Sequence, residues 1–262
     1  MAEETEKVTA LRYTDTDIQE IEESVVKEYP FTISVNNQEL VTLLCSPTYL
    51  KFLAVGFLVS EGVVKTKEDL KKVVVDERLG IAWVQTRDEE AVQPLMLSKR
   101  MITSGCGRGA SFYNADDAQA ATRIESGLKV KPENIFALVQ EFQHYSEVYK
   151  TTHGVHSAAL CDSERILLFR DDIGRHNAID KIIGECLLND IDTEDRMIVV
   201  SGRISSEMAV KVAKRGIPVL ISISAPTNLG VSLANQFGLT LVGFVRPKRM
   251  NVYAGSERIA GS

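Results

Sequence analysis

The chain lacks most of what would fix a fold covalently or place it in a bilayer. It has only four cysteines, Cys45, Cys106, Cys161 and Cys186, at spacings that fit neither a disulfide framework nor a zinc-finger pattern. No apolar run is long enough to span a membrane, and the first residues lack the basic-then-apolar signature of a secretory signal. A cytoplasmic protein is therefore expected. There is no internal repeat and no low-complexity linker. Basic residues are not in excess: 30 Lys and Arg stand against 36 Asp and Glu, for a net charge of −6, which gives no broad basic face for duplex DNA or RNA.

What is present is an ordinary globular composition, 44% hydrophobic and 25% charged over 262 residues, enough for one large domain or two small ones. The acidity is local. Residues 1–28 hold nine acids and three bases, and the remainder holds 27 of each. Residues 1–24 therefore read as a solvated, disordered acidic arm. Residues 25–127 read as a small α+β unit: a hairpin of Phe31 to Val35 and Glu39 to Cys45 about Asn36-Asn37, a helix begun by Pro47, and strands at Val73 to Asp76 and Ile81 to Gln85. Lys131-Pro132 opens a helix over Glu133 to Tyr149, which leads into an α/β unit spanning 128–255.

That second unit carries the chemistry. The run Arg170-Asp-Asp-Ile-Gly-Arg-His-Asn-Ala-Ile-Asp-Lys181 follows a strand-like stretch and precedes apolar residues at helical spacing. It places two carboxylates, Arg175, His176 and Asn177 where a strand meets a helix N-terminus, a position that favours anions. The pattern recurs. Met197 to Val200 runs into Ser201-Gly-Arg203, Pro218 to Ile223 into Ser224-Ala-Pro-Thr227, and Leu239 to Val245 into Arg246-Pro-Lys-Arg249. Alternating strands and helices predict parallel pairing with right-handed crossovers, so these loops should meet at one sheet edge, where open α/β sheets bind ligands. Arg175, His176, Asn177, Ser201, Arg203, Ser224 and Thr227 should line that edge. So should Phe244, Val245, Arg246, Pro247, Lys248 and Arg249. Their chemistry suits a phosphate or pyrophosphate with a polar base.

Cys106 stands apart from the other thiols. It sits in Thr103-Ser-Gly-Cys-Gly-Arg-Gly-Ala110, where three glycines open the loop and Arg108 favours a thiolate, the form that attacks or accepts sulfur. A glycine-rich turn with an incidental cysteine is the alternative. Cys45, Cys161 and Cys186 lie in apolar runs and read as inert core thiols. His153 and His156, with His176 and Cys106, offer a zinc set on paper. The chain lacks the His-x-Glu and Pro-Cys-x-x-Cys pairing of zinc deaminases, and no protein-bound metal is expected.

Taken together, these motifs resemble the formate dehydrogenase accessory sulfurtransferase family, the FdhD sulfur carriers. The matching stretches are Ala54 to Gly62, Ser104 to Gly107, Gly154 to Ala159, Asp172 to Lys181, Ser201 to Arg203, Ser224 to Thr227 and Leu241 to Arg246, in the family's order. The resemblance implies an α/β fold with a cytidine-deaminase-like three-layer core without the deaminase metal site. It implies a homodimer and sulfurtransferase activity through a Cys106 persulfide. Sulfur would pass from a cysteine desulfurase to the molybdenum (or tungsten) bis(molybdopterin guanine dinucleotide) cofactor, Mo-bis(molybdopterin guanine dinucleotide) in the common case, bound as substrate for a formate dehydrogenase. Many members carry Cys-x-x-Cys in the glycine-rich loop. Here Gly109 takes the second position, so no two-thiol relay exists within that loop. A cofactor chaperone that transfers no sulfur, and a zinc-dependent deaminase-like hydrolase, are the alternatives.

Overall fold

The computed structural model describes residues 3–92, 101–102, 110–111 and 123–261. The fold is mixed α/β. A four-stranded sheet is built from β3 (Tyr29–Val35), β4 (Gln38–Cys45), β5 (Leu70–Asp76) and β6 (Ile81–Thr86), in the order β4-β3-β6-β5. Asn36 and Asn37 both take positive φ, 49° and 66°, the turn that matches the twist of a two-residue hairpin. Between β4 and β5 lies α1 (Leu50–Ser60), which starts after Tyr49 rather than at Pro47. The short strands β7 (Met101–Ile102) and β8 (Ala110–Ser111) pair with each other.

The acidic N-terminal segment is not a disordered arm. Strands β1 (Thr5–Tyr13) and β2 (Ile18–Val26) pair antiparallel in unbroken register from Thr5↔Val26 to Tyr13↔Ile18. Acid count misleads here because the strand alternates: Val8, Ala10 and Ile21 are half-buried between exposed neighbours, and backbone pairing is indifferent to charge on the solvent side. The base of the ribbon is tied down by Thr48 Oγ1, which donates to Glu4 Oε1 at 2.8 Å, and by Lys27 N, which donates to Glu4 O at 2.9 Å.

The second sheet has six strands in the order β10-β9-β11-β12-β13-β14. They are β9 (His156–Cys161), β10 (Ile166–Asp172), β11 (Met197–Val200), β12 (Val219–Ser222), β13 (Thr240–Arg246) and β14 (Arg249–Ala254). β11, β12 and β13 run parallel, as the alternating pattern predicts. β9 and β14 are antiparallel to their neighbours, which it does not. β10 is antiparallel to β9 and so shares the direction of β11. Two reversals restore the alignment, and the C-terminal ends of β10 to β13 emerge at one edge together with the start of β9.

Helices cover both faces. α2 (Pro132–Gln143) packs on Met197 and Val199, while α4 (Arg175–Leu188), α5 (Ser206–Lys214) and α6 (Asn228–Phe237) pack on Ile198 and Val200. The helix expected over Glu133 to Tyr149 is two: α2 stops at Gln143, and α3 (Glu147–Thr152) restarts after Ser146, whose Oγ accepts from Tyr149 N at 2.9 Å. A serine at that position caps a new helix more readily than it continues an old one.

The two sheets share one core. Phe31, Ile33 and Leu53 of the first unit lie in the same apolar cluster as Ile182, Leu220 and Leu241 of the second. The joint is α1 against α4. A Cβ on Gly56 would lie 1.7 Å from Asp180 O, and one on Gly184 would lie 2.0 Å from Phe52 O. Only hydrogen fits at either position, which is why Gly stands in the middle of two helices despite its cost there.

Candidate functional site

The run Arg170 to Lys181 divides into an inward and an outward half. Asp172 and Lys181 are fully buried and paired, Nζ to Oδ2 at 2.7 Å. Asp172 also accepts from Ser46 N at 3.1 Å and from Gly174 N at 2.8 Å. The Asn177 amide donates to Asp172 Oδ1 and to Leu44 O, both at 2.9 Å. Lys181 adds a bond to Asp171 O at 3.0 Å. A second buried pair lies below, Lys211 Nζ with both oxygens of Asp180 at 2.8 Å, and Ser60 donates to the same carboxylate at 2.6 Å. Buried charges survive only when paired and fully hydrogen-bonded. These groups hold the two sheets together. Asn177, expected at the ligand edge, has its donors committed to this joint.

His176 also turns inward. Its Nε2 stands 3.1 Å from Glu207 Oε2 on α5. Burial, with Lys211 and Arg175 adding to it, pushes the imidazole down to about 3, so the ring is neutral at physiological pH. Thr227 accepts from Gly230 N at 3.1 Å and caps α6. These three predicted residues shape the edge from below.

The outward set is at the edge. The stem of Arg175 crosses Gly202, where a Cβ would meet its Cδ at 2.9 Å. Ser201 and Arg203 leave the end of β11. Ser224 leaves the end of β12, its carbonyl accepting from Phe244 N at 3.0 Å. Phe244 takes φ 52° and is 42% exposed, an uncommon backbone state for a bulky residue and one concentrated at functional positions. Val245 is buried, whereas Pro247, Lys248 and Arg249 are not. Arg246 folds its guanidinium back onto Ile223 O at 2.7 Å. The N-termini of α4, α5 and α6 all begin just past this edge. Three such termini with Arg175 and Arg203 nearby form an anion-favouring rim.

Beside the rim, a cleft of about 470 Å³ opens between α2, α3 and the edge. Phe142, Tyr149, Val155, Ile173 and Ile223 supply apolar wall, and Gln143, Ser146, His153, His156, Ser157 and Ser201 supply polar groups. Of the predicted cofactor residues only Ser201 reaches it. Ser146 and Ser157 both donate to Asp171, whose carboxyl is raised by burial. Ser201 Oγ accepts from Ser157 N at 3.0 Å and lies 3.3 Å from His156 Nδ1. Asp171, Ser146 and Ser157 were not legible as site residues. The only sequence signal was the doubled Asp171-Asp172, of which one turns in and one out.

Cys106, with Arg108 and Gly109, lies outside the described residues. The other three thiols are buried. Burial raises the Cys45 thiol strongly and pushes Cys161 and Cys186 up to about 12. They are core residues, as their apolar runs predict. Among the described residues no group of three or more His, Cys, Asp or Glu side chains is placed to hold a metal, and no helix is long and apolar enough to cross a membrane.

The sequence profile of the FdhD/NarQ family matches residues 26–260. The chain is 44% identical over 258 residues to the sulfur carrier protein FdhD of Bacillus subtilis, covering 97% of this chain and 98% of that one. It is 46% identical over 250 residues to the protein of the same name from Listeria monocytogenes, covering 95% and 96%. The fold superposes on the crystal structure of a candidate formate dehydrogenase accessory protein from Desulfotalea psychrophila with a TM-score of 0.82 at 26% identity, over 97% of this chain and 99% of that one.

Proposed function

The chain belongs to the FdhD/NarQ family, and from that premise we propose that it carries sulfur from a cysteine desulfurase to a bis(molybdopterin guanine dinucleotide) cofactor, molybdenum or tungsten, that serves a formate dehydrogenase. Cys106 is the carrier. Its thiolate attacks the outer sulfur of the desulfurase persulfide, the S–S bond breaks, and the desulfurase thiolate leaves. The sulfane sulfur keeps its oxidation state, so this loading step consumes no oxidant or reductant.

The observation that carries this reading is the burial of every other thiol. Cys45, Cys161 and Cys186 are buried with raised pKa values, and a thiol held protonated away from solvent neither attacks nor accepts sulfur. The cofactor enters as substrate, and the residues present fit it. Helix N-termini with Arg175 and Arg203 suit pyrophosphate, and the half-apolar cleft beside them suits a planar ring. A cytidine-deaminase-like ancestry of the six-stranded sheet and assembly as a homodimer belong to the same proposal.

The test is intact-mass measurement after incubation with a cysteine desulfurase and cysteine. One added sulfur per chain is expected, on Cys106 by peptide mapping, and Cys106→Ser should abolish both the mass gain and formate dehydrogenase maturation. Sulfur on another cysteine would refute the assignment. No gain with intact binding of guanosine diphosphate would favour a chaperone that carries the cofactor without its sulfur.

A further inference from the structure

The Ser201 hydroxyl stands between a backbone N–H and the His156 ring. Its oxygen accepts from Ser157 N at 3.0 Å, and His156 Nδ1 lies 3.3 Å from it, donor or acceptor according to the tautomer. Burial, aided by the Arg175 charge, lowers the His156 pKa, and a neutral imidazole carries one proton. If Ser201 donates to Nδ1, that proton is on Nε2. A hydrogen bond to one ring nitrogen sets which nitrogen is protonated. His156 lines the cleft together with Ser201, and its Nε2 is at the far side of the ring from Ser201.

The occupant of the cleft follows from how its walls divide. Arg175 and Arg203 belong to the rim and not to the cleft lining, whereas Phe142, Tyr149 and Ile223 do line it. The charged part of a nucleotide therefore falls at the rim and the uncharged ring in the cleft. A fixed N–H donor facing a purine distinguishes its two common kinds. At position 6 guanine presents the acceptor O6 and adenine the donor N6, whereas N7 accepts in both, so a donor aimed at position 6 tells them apart.

We infer that His156, locked by Ser201 as the Nε2–H tautomer, selects 6-oxopurine nucleotides by donating to the ring carbonyl. This rests on the nucleotide-binding reading above and adds the residue that sets its specificity. A site built to hydrogen-bond one group rejects the analogue that leaves it unpaired more strongly than a shape mismatch does.

Two measurements on the full-length protein test it. Long-range proton–nitrogen NMR of the histidine rings should show His156 protonated at Nε2, and protonation at Nδ1 would overturn the inference whatever binds. Calorimetric titration should show guanosine and inosine diphosphates binding alike, with adenosine diphosphate at least about tenfold weaker, the worth of one good hydrogen bond. His156→Leu should bring the two 6-oxopurines down to the adenosine level. Ser201→Ala, milder for folding, should narrow the ratio by freeing the other tautomer. Equal binding of guanosine and adenosine diphosphates by the wild type would overturn the inference alone. So would a preference that survives in His156→Leu, or a loss of inosine diphosphate, which lacks only the 2-amino group. Binding of no nucleotide would overturn it together with the reading beneath it.

Discussion

Gly184 of α4 approaches α1 so closely that a Cβ on it would stand 2.6 Å from the Gly56 nitrogen and 2.0 Å from Phe52 O. Both obstacles are backbone, which cannot rotate away. Gly184→Ala should therefore destabilise the fold by about 3 kcal/mol or more, the upper range for overpacking. Gly127→Ala, with nothing within 4 Å of the new methyl, should stay within about 0.5 kcal/mol of wild type. Urea midpoints at unchanged slope would measure both. Similar midpoints for the two variants would show that the helices part without cost.

The Asp172–Lys181 pair should be asymmetric under mutation. Lys181→Met strands a fully buried carboxylate, at a cost of about 3–5 kcal/mol. Asp172→Asn combined with Lys181→Met removes both charges, keeps an amide for Ser46 and Asn177 to meet, and should recover part of that loss. A double variant no more stable than Lys181→Met would mean that the ammonium matters as a hydrogen-bond donor to Asp171 O and Ser46 O rather than as a countercharge.

Acid should weaken the protein through His176. The folded ring protonates only near pH 3, against 6.5 for a solvated imidazole. Between those values the unfolded chain holds a proton that the folded chain does not, so stability falls as pH falls. The loss attributable to this ring should reach about 1.6 kcal/mol between pH 6.5 and pH 5. His176→Gln should show a flatter stability profile over that interval, measured by urea titration at each pH. An unchanged slope would mean that Glu207 stabilises the cation enough to offset burial.

Native alkylation with a maleimide should modify Cys106 alone, with Cys45, Cys161 and Cys186 reacting only on unfolding. Mild oxidation should leave the wild type without an intraloop bridge, because Gly109 stands where a partner thiol would. Gly109→Cys should form one and lose persulfide loading until reduced. Peptide mapping reads both outcomes. A wild-type bridge from Cys106 to any of the three buried thiols would end the single-thiol mechanism.

Much of the second sheet was legible because its strands are short β-branched runs buried on both faces, such as Met197–Val200, each ending in a polar loop. The common edge followed from that pattern. The antiparallel placement of β9 and β14 did not, since strand direction depends on pairing and not on local sequence. The placement of the residues expected at the edge depends on distant pairing in the same way. Arg175, Ser201 and Arg203 stand on it, but the Asn177 amide turns inward, to Leu44 O 133 positions away and to an Asp172 that is itself held by Ser46 N from 126 positions away. The N-terminal ribbon was misread because acid count is a property of composition, whereas its pairing is a property of alternation. His156 and Ser201 were each visible, but their contact across 45 positions was not.

The glycine crossing of α1 and α4 has a consequence for inheritance. Each helix is shaped to the other's backbone, so a bulkier residue can be accepted on one side only if the other helix moves. A chimaera that joins α1 of one relative to α4 of another inherits a working core only where both carry glycine at the crossing. The halves of this chain are therefore bound to change together, and the edge where β10 to β13 end cannot be transplanted without the helix from the first sheet that supports it.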